Sequence, residues 1–380
     1  MLPFGRIVGH PPATVKAVAY TCDMATQPHL PTSRRRELAR PHPSGKLQCV
    51  ACAHRCLLAP GGRGVCLQRR REGDVLAVPW GYAAGVAVDP IEKKPFFHLL
   101  PGARALSFGM LGCNFHCSFC QNWTSSQFGR DPEAEAGARP VRPEELVAAA
   151  TAHDCTVITS TYNEPLISAE WAFDIFTLAK RAGLLTSFVS NGHATPEVLD
   201  YLAPVLDAMK VDLKAFDAAT YQALGGKLEA VLDTIRGLWS RGTWVEVVTL
   251  VVPGLNDGDE ELNGMAGFLA GVSRNLPWHV TAFHPDYEMS DRPATPAVSL
   301  RRAAEAGRAA GLRFVYAGNL PGRTAELEHT RCPACDATLV RRLGFGVQEQ
   351  RVTPEGRCPD CGASIPGRWA LHVPPRGRAQ

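Results

Sequence analysis

The sequence predicts an α/β fold: a partial (β/α)6 TIM-like barrel set between an N-terminal cysteine-rich module and a C-terminal zinc-ribbon-like module. Three observations carry this. Over residues 101–320, short β-branched apolar runs alternate with longer segments of helical apolar spacing, the pattern of parallel strands joined by crossover helices. Six such units in about 215 residues suit a barrel or partial barrel, with a doubly wound open sheet as the alternative. Outside that span the alternation stops and cysteines cluster.

Residues 1–45, with scattered prolines and the basic run Ser33-Arg34-Arg35-Arg36, are expected to form a flexible, solvated lead-in. Residues 46–100 hold Cys49, Cys52, Cys56 and Cys66 and end in the proline-punctuated link Asp89-Pro90-Ile91-Glu92-Lys93-Lys94-Pro95. Core strands are expected at Ala105–Met110, Thr156–Thr161, Thr186–Ser190, Ala208–Leu213, Trp244–Val252, Val280–Phe283 and Arg313–Tyr316. Helices are expected at Pro143–His153, Ile167–Ala182, Leu228–Ser240, Asp259–Leu269 and Ser299–Ala310. Thr195-Pro196-Glu197 adds a cap, a first-turn proline and an acid suited to the helix dipole. Residues 325–372 are short, turn-rich and cysteine-paired, and read as a separate appendage.

At 45% hydrophobic the chain can bury a substantial core. With 20% charged residues and a net charge of +3, it fits neither a disordered polyampholyte nor a strongly basic nucleic-acid binder. No apolar run approaches the roughly 18–20 residues that cross a bilayer. Pro11 and Pro12 interrupt the stretch a secretory signal needs, so a cytoplasmic protein without a membrane partner is expected. The 13 cysteines are too few for a disulfide scaffold, and all but Cys22 and Cys155 fall in three clusters. In a reducing compartment, clustered thiols point to metal.

Cys113, Cys117 and Cys120 have the spacing C-x3-C-x2-C and directly follow the first expected barrel strand. They therefore lie on a loop at the barrel face that carries chemistry. Three thiolates can hold three irons of a cubane, to which ferredoxin-type carriers add a fourth cysteine. The next cysteine, Cys155, opens the following strand and is expected at the opposite barrel end. The fourth iron is then open to a small molecule. A zinc site completed by His116, or three thiols buried by chance, are the other readings.

At these residues the chain resembles the radical S-adenosylmethionine (SAM) superfamily, marked by C-x3-C-x-Φ-C with an aromatic Φ, here Phe119. The resemblance implies a 4Fe–4S cluster on Cys113, Cys117 and Cys120, with SAM chelated by the open iron. One electron, from a donor such as flavodoxin or ferredoxin, then cleaves SAM to methionine and a 5′-deoxyadenosyl radical that abstracts hydrogen. SAM contacts are implied at later strand ends. Thr161-Tyr162-Asn163-Glu164-Pro165 loosely matches a Gly-Gly-Glu-type segment, with Glu164 keeping the carboxylate for the SAM ammonium; a helix-start turn is the alternative. Ser190-Asn191-Gly192 and Asp212-Leu213-Lys214 are similar to segments near the SAM ribose and carboxylate in glycyl-radical activating enzymes, which implies roles for Asn191, Asp212 and Lys214. A local ion pair is the alternative for the last two. An acidic position of that family is Val189 here, which argues against a bound cation. The Val252–Asp257 turn is a candidate for adenine packing or an ordinary turn, and His284 completes the set of contacts.

At the C-terminus, Cys332/Cys335 and Cys358/Cys361 are two C-x2-C knuckles 22 residues apart. They signal structural zinc, with a rubredoxin-like iron as the alternative. Cys49, Cys52, Cys56 and Cys66, spaced C-x2-C-x3-C-x9-C, suit zinc or a second 4Fe–4S cluster for electron entry. Both flanks combine with the 89–95 link, Gly112-Cys113-Asn114, Cys120-Gln121-Asn122-Trp123 and the closing Ile365-Pro366-Gly367-Arg368-Trp369. Over about residues 46–372 this combination resembles the radical SAM enzyme of the AmmeMemoRadiSam system, a relative of pyruvate formate-lyase activating enzymes. AMMECR-type and Memo-type companion proteins are implied, and the substrate, protein or small molecule, is unidentified. The alternatives are a glycyl-radical activase, a non-enzymatic iron–sulfur carrier or sensor that does not cleave SAM, and a zinc-ribbon nucleic-acid binder. The last is disfavoured because the ribbon lacks a dense basic and aromatic stripe.

Overall fold

Alternating β-branched and helical-period segments resolve into strand–helix units in the computed structural model, which describes residues 30–371. Strands β1 (Gly85–Pro90), β2 (Arg104–Gly109), β3 (Val157–Ser160), β4 (Leu185–Ser190), β5 (Ala208–Asp212), β6 (Trp244–Val251), β7 (Trp278–Ala282) and β8 (Val315–Gly318) form one sheet in sequence order. β2 to β8 pair in parallel. Helices α1 (Pro143–Ala152), α2 (Ala169–Arg181), α3 (Pro196–Leu202), α4 (Leu228–Ser240), α5 (Asp259–Val272) and α6 (Ala297–Ala309) lie on the crossovers. The strand order never reverses, unlike a doubly wound sheet. Among the described residues β8 and β1 do not pair, so the barrel is partial.

Strand alternation sorts the side chains. Phe108 of β2 and Phe188 of β4 pack outward on Phe176 of α2. Ser107, Thr159, Ser187, Lys210 and Glu246 occupy the opposite, lumenal face. Small hydroxyl side chains therefore line one half of the lumen and charged groups the other.

Three expectations need correction. The 89–95 link is not a link: Asp89 and Pro90 end β1, which pairs antiparallel with β2. An edge position tolerates the proline. Nor is the described part of residues 1–45 a solvated lead-in. Thr32–Arg35 pairs with Val75–Pro79, and Arg35 meets Asp174 of α2; Cys22 and the preceding residues lie outside the described residues. Third, the ribbon strands Thr330–Arg331, Thr338–Leu343 and Gly346–Gln350 are not a separate appendage. Leu339, Val340, Ile365 and Trp369 share a buried cluster with Phe97, Phe314 and Tyr316. The buried Arg342 donates to the Phe97 carbonyl (2.8 Å) and Thr330 Oγ1 (2.9 Å).

Residues 91–100 close the N-terminal end of the barrel. Ile91, Phe96, Leu99 and Leu100 pack on the lumenal Ala105, Val157, Ala208 and Trp244. Glu246 locks this plug by accepting from Phe97 N (2.9 Å), His98 N (2.8 Å), Trp244 Nε1 (3.0 Å) and His279 Nε2 (2.7 Å). Burial opposes its charge, but the hydrogen bond and field of His279 lead the effects that hold its carboxyl at about 2. Burial lowers His279 below its ordinary range against the opposing pull of Glu246.

The N-terminal module is clamped to the barrel by charge. Arg69 and Glu170, both buried, form a bidentate pair at 2.7 Å, and Arg55 and Glu197 form another at 2.7 Å. Among the described residues no helix is long and apolar enough to cross a membrane.

Two outcomes follow from these networks. Glu246 titrates at about 2 in the fold against an ordinary 4.5. Its stabilisation is therefore complete above about pH 4.5 and is lost as pH falls towards 2. Guanidinium unfolding should show a steeper loss over that window for the wild type than for Glu246→Gln; equal slopes contradict the role. Glu170→Ala strands a buried guanidinium and should cost about 3–5 kcal/mol, most of which Arg69→Met combined with Glu170→Leu should restore.

Candidate active site

The loop after β2 carries Cys113, Cys117 and Cys120 at the C-terminal mouth of the barrel, as expected. It has little regular structure, so side chains from elsewhere pin it. Asn163 accepts from Met110 N (2.9 Å) and donates to the Gly112 carbonyl (3.0 Å). Arg130 (2.7 Å) and Gln127 (3.3 Å) donate to the Phe115 carbonyl. His116 N reaches the Leu224 carbonyl at 3.0 Å. Next to it, Gly225 and Gly226 admit the loop: a Cβ on Gly226 would stand 2.1 Å from Phe115 Cζ, and one on Gly225 2.5 Å from His116 Cε1. The sequence reading did not single out Gln127, Arg130 or this glycine pair for the site, and it noted Asn163 only as a departure. The Gly-Gly doublet was the one local signal of close approach.

The donor set fits a site-differentiated cubane. Cys117 is buried, and Cys113 and Cys120 are half-buried. Burial pushes the Cys117 thiol up to about 12 against the opposing pull of Lys214, so a metal bound there would displace the thiol proton. Cys155 hydrogen-bonds Ala150 at the end of α1, just before β3, and so lies at the other end of the barrel. His116 is exposed, and among the described residues it does not converge with the three sulfurs as a zinc ligand would.

Glu164 is buried among donors: Ser190 Oγ (2.7 Å), Leu166 N (3.0 Å) and Asn191 N (2.7 Å). Burial, with Asp212 adding to it, raises its carboxyl to about 7 despite those bonds. Glu164 thus holds the end of β4 in place. The preceding Tyr162 has φ of 74°, so the segment keeps a backbone that glycine favours. Asn191 Nδ2 donates to Asn114 Oδ1 (2.8 Å), which places Asn191 directly against the cysteine loop. Asp212 lies between Lys210 (3.1 Å) and Lys214 (3.0 Å), and the Lys214 ammonium sits 5.8 Å above the Phe119 ring. Burial opposes the Lys214 charge, but Asp212 and Cys117 outweigh it and hold the ammonium well above its usual range. Val189 pairs in register with Lys210, so a lysine already supplies positive charge beside it.

Two candidates are tied elsewhere. Asn256, in the turn after β6, spends its side chain on Lys214 O (2.7 Å), Leu250 O (2.8 Å) and Val252 N (2.7 Å). His284 is exposed and meets only its neighbour, the Pro285 carbonyl, at 3.3 Å. The same loop still reaches the mouth: Glu288 N bonds the Ser118 carbonyl (3.1 Å), and Tyr287 stacks on Trp123 at 5.0 Å.

Residues 109–266, which span this loop and β3 to β6, match the radical SAM superfamily model. An uncharacterized protein of Methanocaldococcus jannaschii is 38% identical over 323 residues, covering 84% of this chain and 95% of that one. The chain belongs to the radical SAM superfamily. The Escherichia coli pyruvate formate-lyase 1-activating enzyme is 26% identical over 48% of this chain and 77% of its own length. A Sphaerobacter thermophilus radical SAM methyltransferase structure overlaps 76% of this chain and 78% of that one, with 15% identity and a TM-score of 0.47. Membership of the superfamily implies a 4Fe–4S cluster and SAM, and Cys113, Cys117 and Cys120 are residues whose chemistry fits such a cluster.

The C-terminal cysteines converge as a group that could hold a metal ion. The sulfurs of Cys332 and Cys361 are 3.6 Å apart, those of Cys335 and Cys358 3.7 Å, and all four lie within 4.8 Å of one another.

Glu164→Gln tests the strand-end anchor. An amide can present oxygen to only one side, so either Leu166 N or Asn191 N loses its acceptor. The cost should be about 1–3 kcal/mol in the unfolding free energy; an unchanged midpoint contradicts the assignment.

Proposed function

We propose that this radical SAM enzyme binds SAM at the barrel mouth, cleaves it reductively and directs the resulting 5′-deoxyadenosyl radical at hydrogen abstraction within a companion system of the AmmeMemoRadiSam kind. The observation that carries the reading is a three-thiol loop pinned at the mouth, with the next cysteine in sequence, Cys155, at the opposite end of the barrel. When bound there, the cluster supplies one-electron reduction of the SAM sulfonium. The chain's own residues do the rest. Phe119 and the Lys214–Asp212 pair flank the loop where the SAM carboxylate and ribose are to sit. Asn191 presents its amide edge beside Asn114. Glu164 holds the Ser190–Asn191 end of β4, a positioning role in addition to any contact with the SAM ammonium, and His284 lies at the outer rim. The plug formed by residues 91–100 keeps the far end of the barrel dry, which a radical intermediate requires.

Similarity to an activating enzyme supports a second reading, installation of a glycyl radical on a partner protein. The companion-system reading is favoured because the activating-enzyme likeness covers only 48% of this chain and the flanking cysteine modules are not those of the simplest activases. An electron donor of the flavodoxin or ferredoxin type, AMMECR-type and Memo-type companions, a cytoplasmic setting and zinc in the ribbon belong to the same proposal. The ribbon sulfur separations support zinc: four thiolates on tetrahedral Zn²⁺ at 2.3 Å lie about 3.8 Å apart.

Anaerobic reconstitution with SAM and dithionite should yield 5′-deoxyadenosine and methionine. Cys117→Ala should abolish both products while leaving the zinc content at the wild-type level. Product formation by that variant contradicts the assignment of the cluster loop.

A further inference from the structure

We propose that Cys49, Cys52, Cys56 and Cys66 hold a second iron–sulfur cluster, not a single zinc ion, and that this centre relays electrons to the SAM site. Only the destination of the electron rests on the function proposed above; the identity of the metal is argued separately.

The first argument is sulfur geometry. A single tetrahedral ion draws its thiolates to about 3.8 Å from one another, and the ribbon set has that geometry, with separations of 3.6 and 3.7 Å. Among the described residues, no three sulfurs of the N-terminal set lie within 4.8 Å of one another. They still form one group. Cys49 N bonds the Cys56 carbonyl at 3.0 Å, and Arg55 N closes the turn between Cys52 and Cys56 on the Cys52 carbonyl at 3.0 Å. The sulfurs of Cys56 and Cys66 both border Gly64, at 3.5 and 3.8 Å from where its Cβ would stand. Cys113, Cys117 and Cys120 show the same spread. A cubane binds each thiolate at a different corner and so keeps the thiolates apart.

The second argument is position. The two cysteine loops touch. Gln68, two residues after Cys66, packs so closely on Gly112, the residue before Cys113, that a Cβ there would stand 2.5 Å from Gln68 Cγ. His54, inside the Cys52–Cys56 knuckle, has its Nε2 3.1 Å from the Asn114 carbonyl. Arg130 bridges the loops, donating to the carbonyls of Val65 and Phe115. On the outer side Cys56 is half-exposed beside the exposed Leu57 and Val65. That side is the electron entry. An external low-potential one-electron carrier is oxidised by one electron. The N-terminal centre takes that electron and returns to its resting state on passing it inward, where it is consumed in breaking a carbon–sulfur bond of SAM. No atom or proton moves at the relay.

The test uses the full-length chain reconstituted anaerobically with iron and sulfide. The triple variant Cys113→Ala, Cys117→Ala, Cys120→Ala leaves the N-terminal module intact. It should retain about four irons and four sulfides per chain, and an electron paramagnetic resonance signal on reduction. A second zinc with no iron overturns the cluster. For the relay, Cys56→Ser should lower the ratio of flavodoxin-driven to dithionite-driven SAM cleavage about tenfold, because only the protein donor depends on the outer centre. An unchanged ratio overturns the relay. Metal content requires no SAM chemistry, and 5′-deoxyadenosine from the wild type with dithionite tests the SAM reading alone, so the two failures are distinguishable.

Discussion

Three thiolates on an irregular loop present an open iron reproducibly only if the loop cannot move, and everything around the barrel mouth serves that constraint. The loop makes few bonds within itself. Its carbonyls and amides are taken by Asn163, Gln127, Arg130 and Leu224, which come from the strand-end segment after β3, the turn after the third cysteine and the segment before α4. Each contact is modest in water, but a buried backbone group left without its partner costs about 1–3 kcal/mol, so the set acts together. The glycine pair at 225–226 complements it by removing the side chains that would push the loop outward.

The two ends of the barrel are built on opposite principles. At the N-terminal end the plug, the ribbon and β6 meet in apolar clusters around one fully bonded carboxylate, Glu246. Removing Glu246 would leave four donors unsatisfied, so this end is rigid. At the mouth, the Asp212–Lys214 pair is only partly covered, backed by the buried Lys210, and keeps charge available to a bound ligand. Radical chemistry needs both: a closed floor that excludes water and a polar rim that selects what enters.

Much of the barrel was legible because its information is local. Strand and helix periodicity placed six crossovers, and the tight spacing of Cys113, Cys117 and Cys120 fixed the face on which they lie. What was not legible depends on partners distant in sequence. Nothing local shows that Arg35 belongs to a strand, since its pairing partner is Leu76 and its counter-charge is Asp174. Pro90 and Pro95 look like punctuation, yet the residues between them begin the barrel floor. Glu164 was legible as a carboxylate at the right strand end, but its three donors were not, and they make it an anchor as well as a candidate ligand. His284 sits at the end of its strand as expected, while its loop turns the ring to solvent.

The cysteine groups mark the limit of spacing as evidence. C-x2-C occurs in the N-terminal set and twice in the ribbon, so sequence alone offers both flanks the same metal. The difference lies in how the surrounding backbone sets the sulfurs. In the ribbon, the amides of Asp336 and Gly362 bond back to the carbonyls of Cys332 and Cys358 and curl each knuckle tightly, which brings the thiols to a common point. In the N-terminal set, Cys49 lies on a strand, Cys52 and Cys56 flank a turn, and Cys66 arrives from a separate loop packed against the barrel. These three elements are not curled to a common point as the ribbon knuckles are. The same packing that spreads them brings the segment after Cys66 against the Cys113 loop, which is the ground for the proposed second cluster.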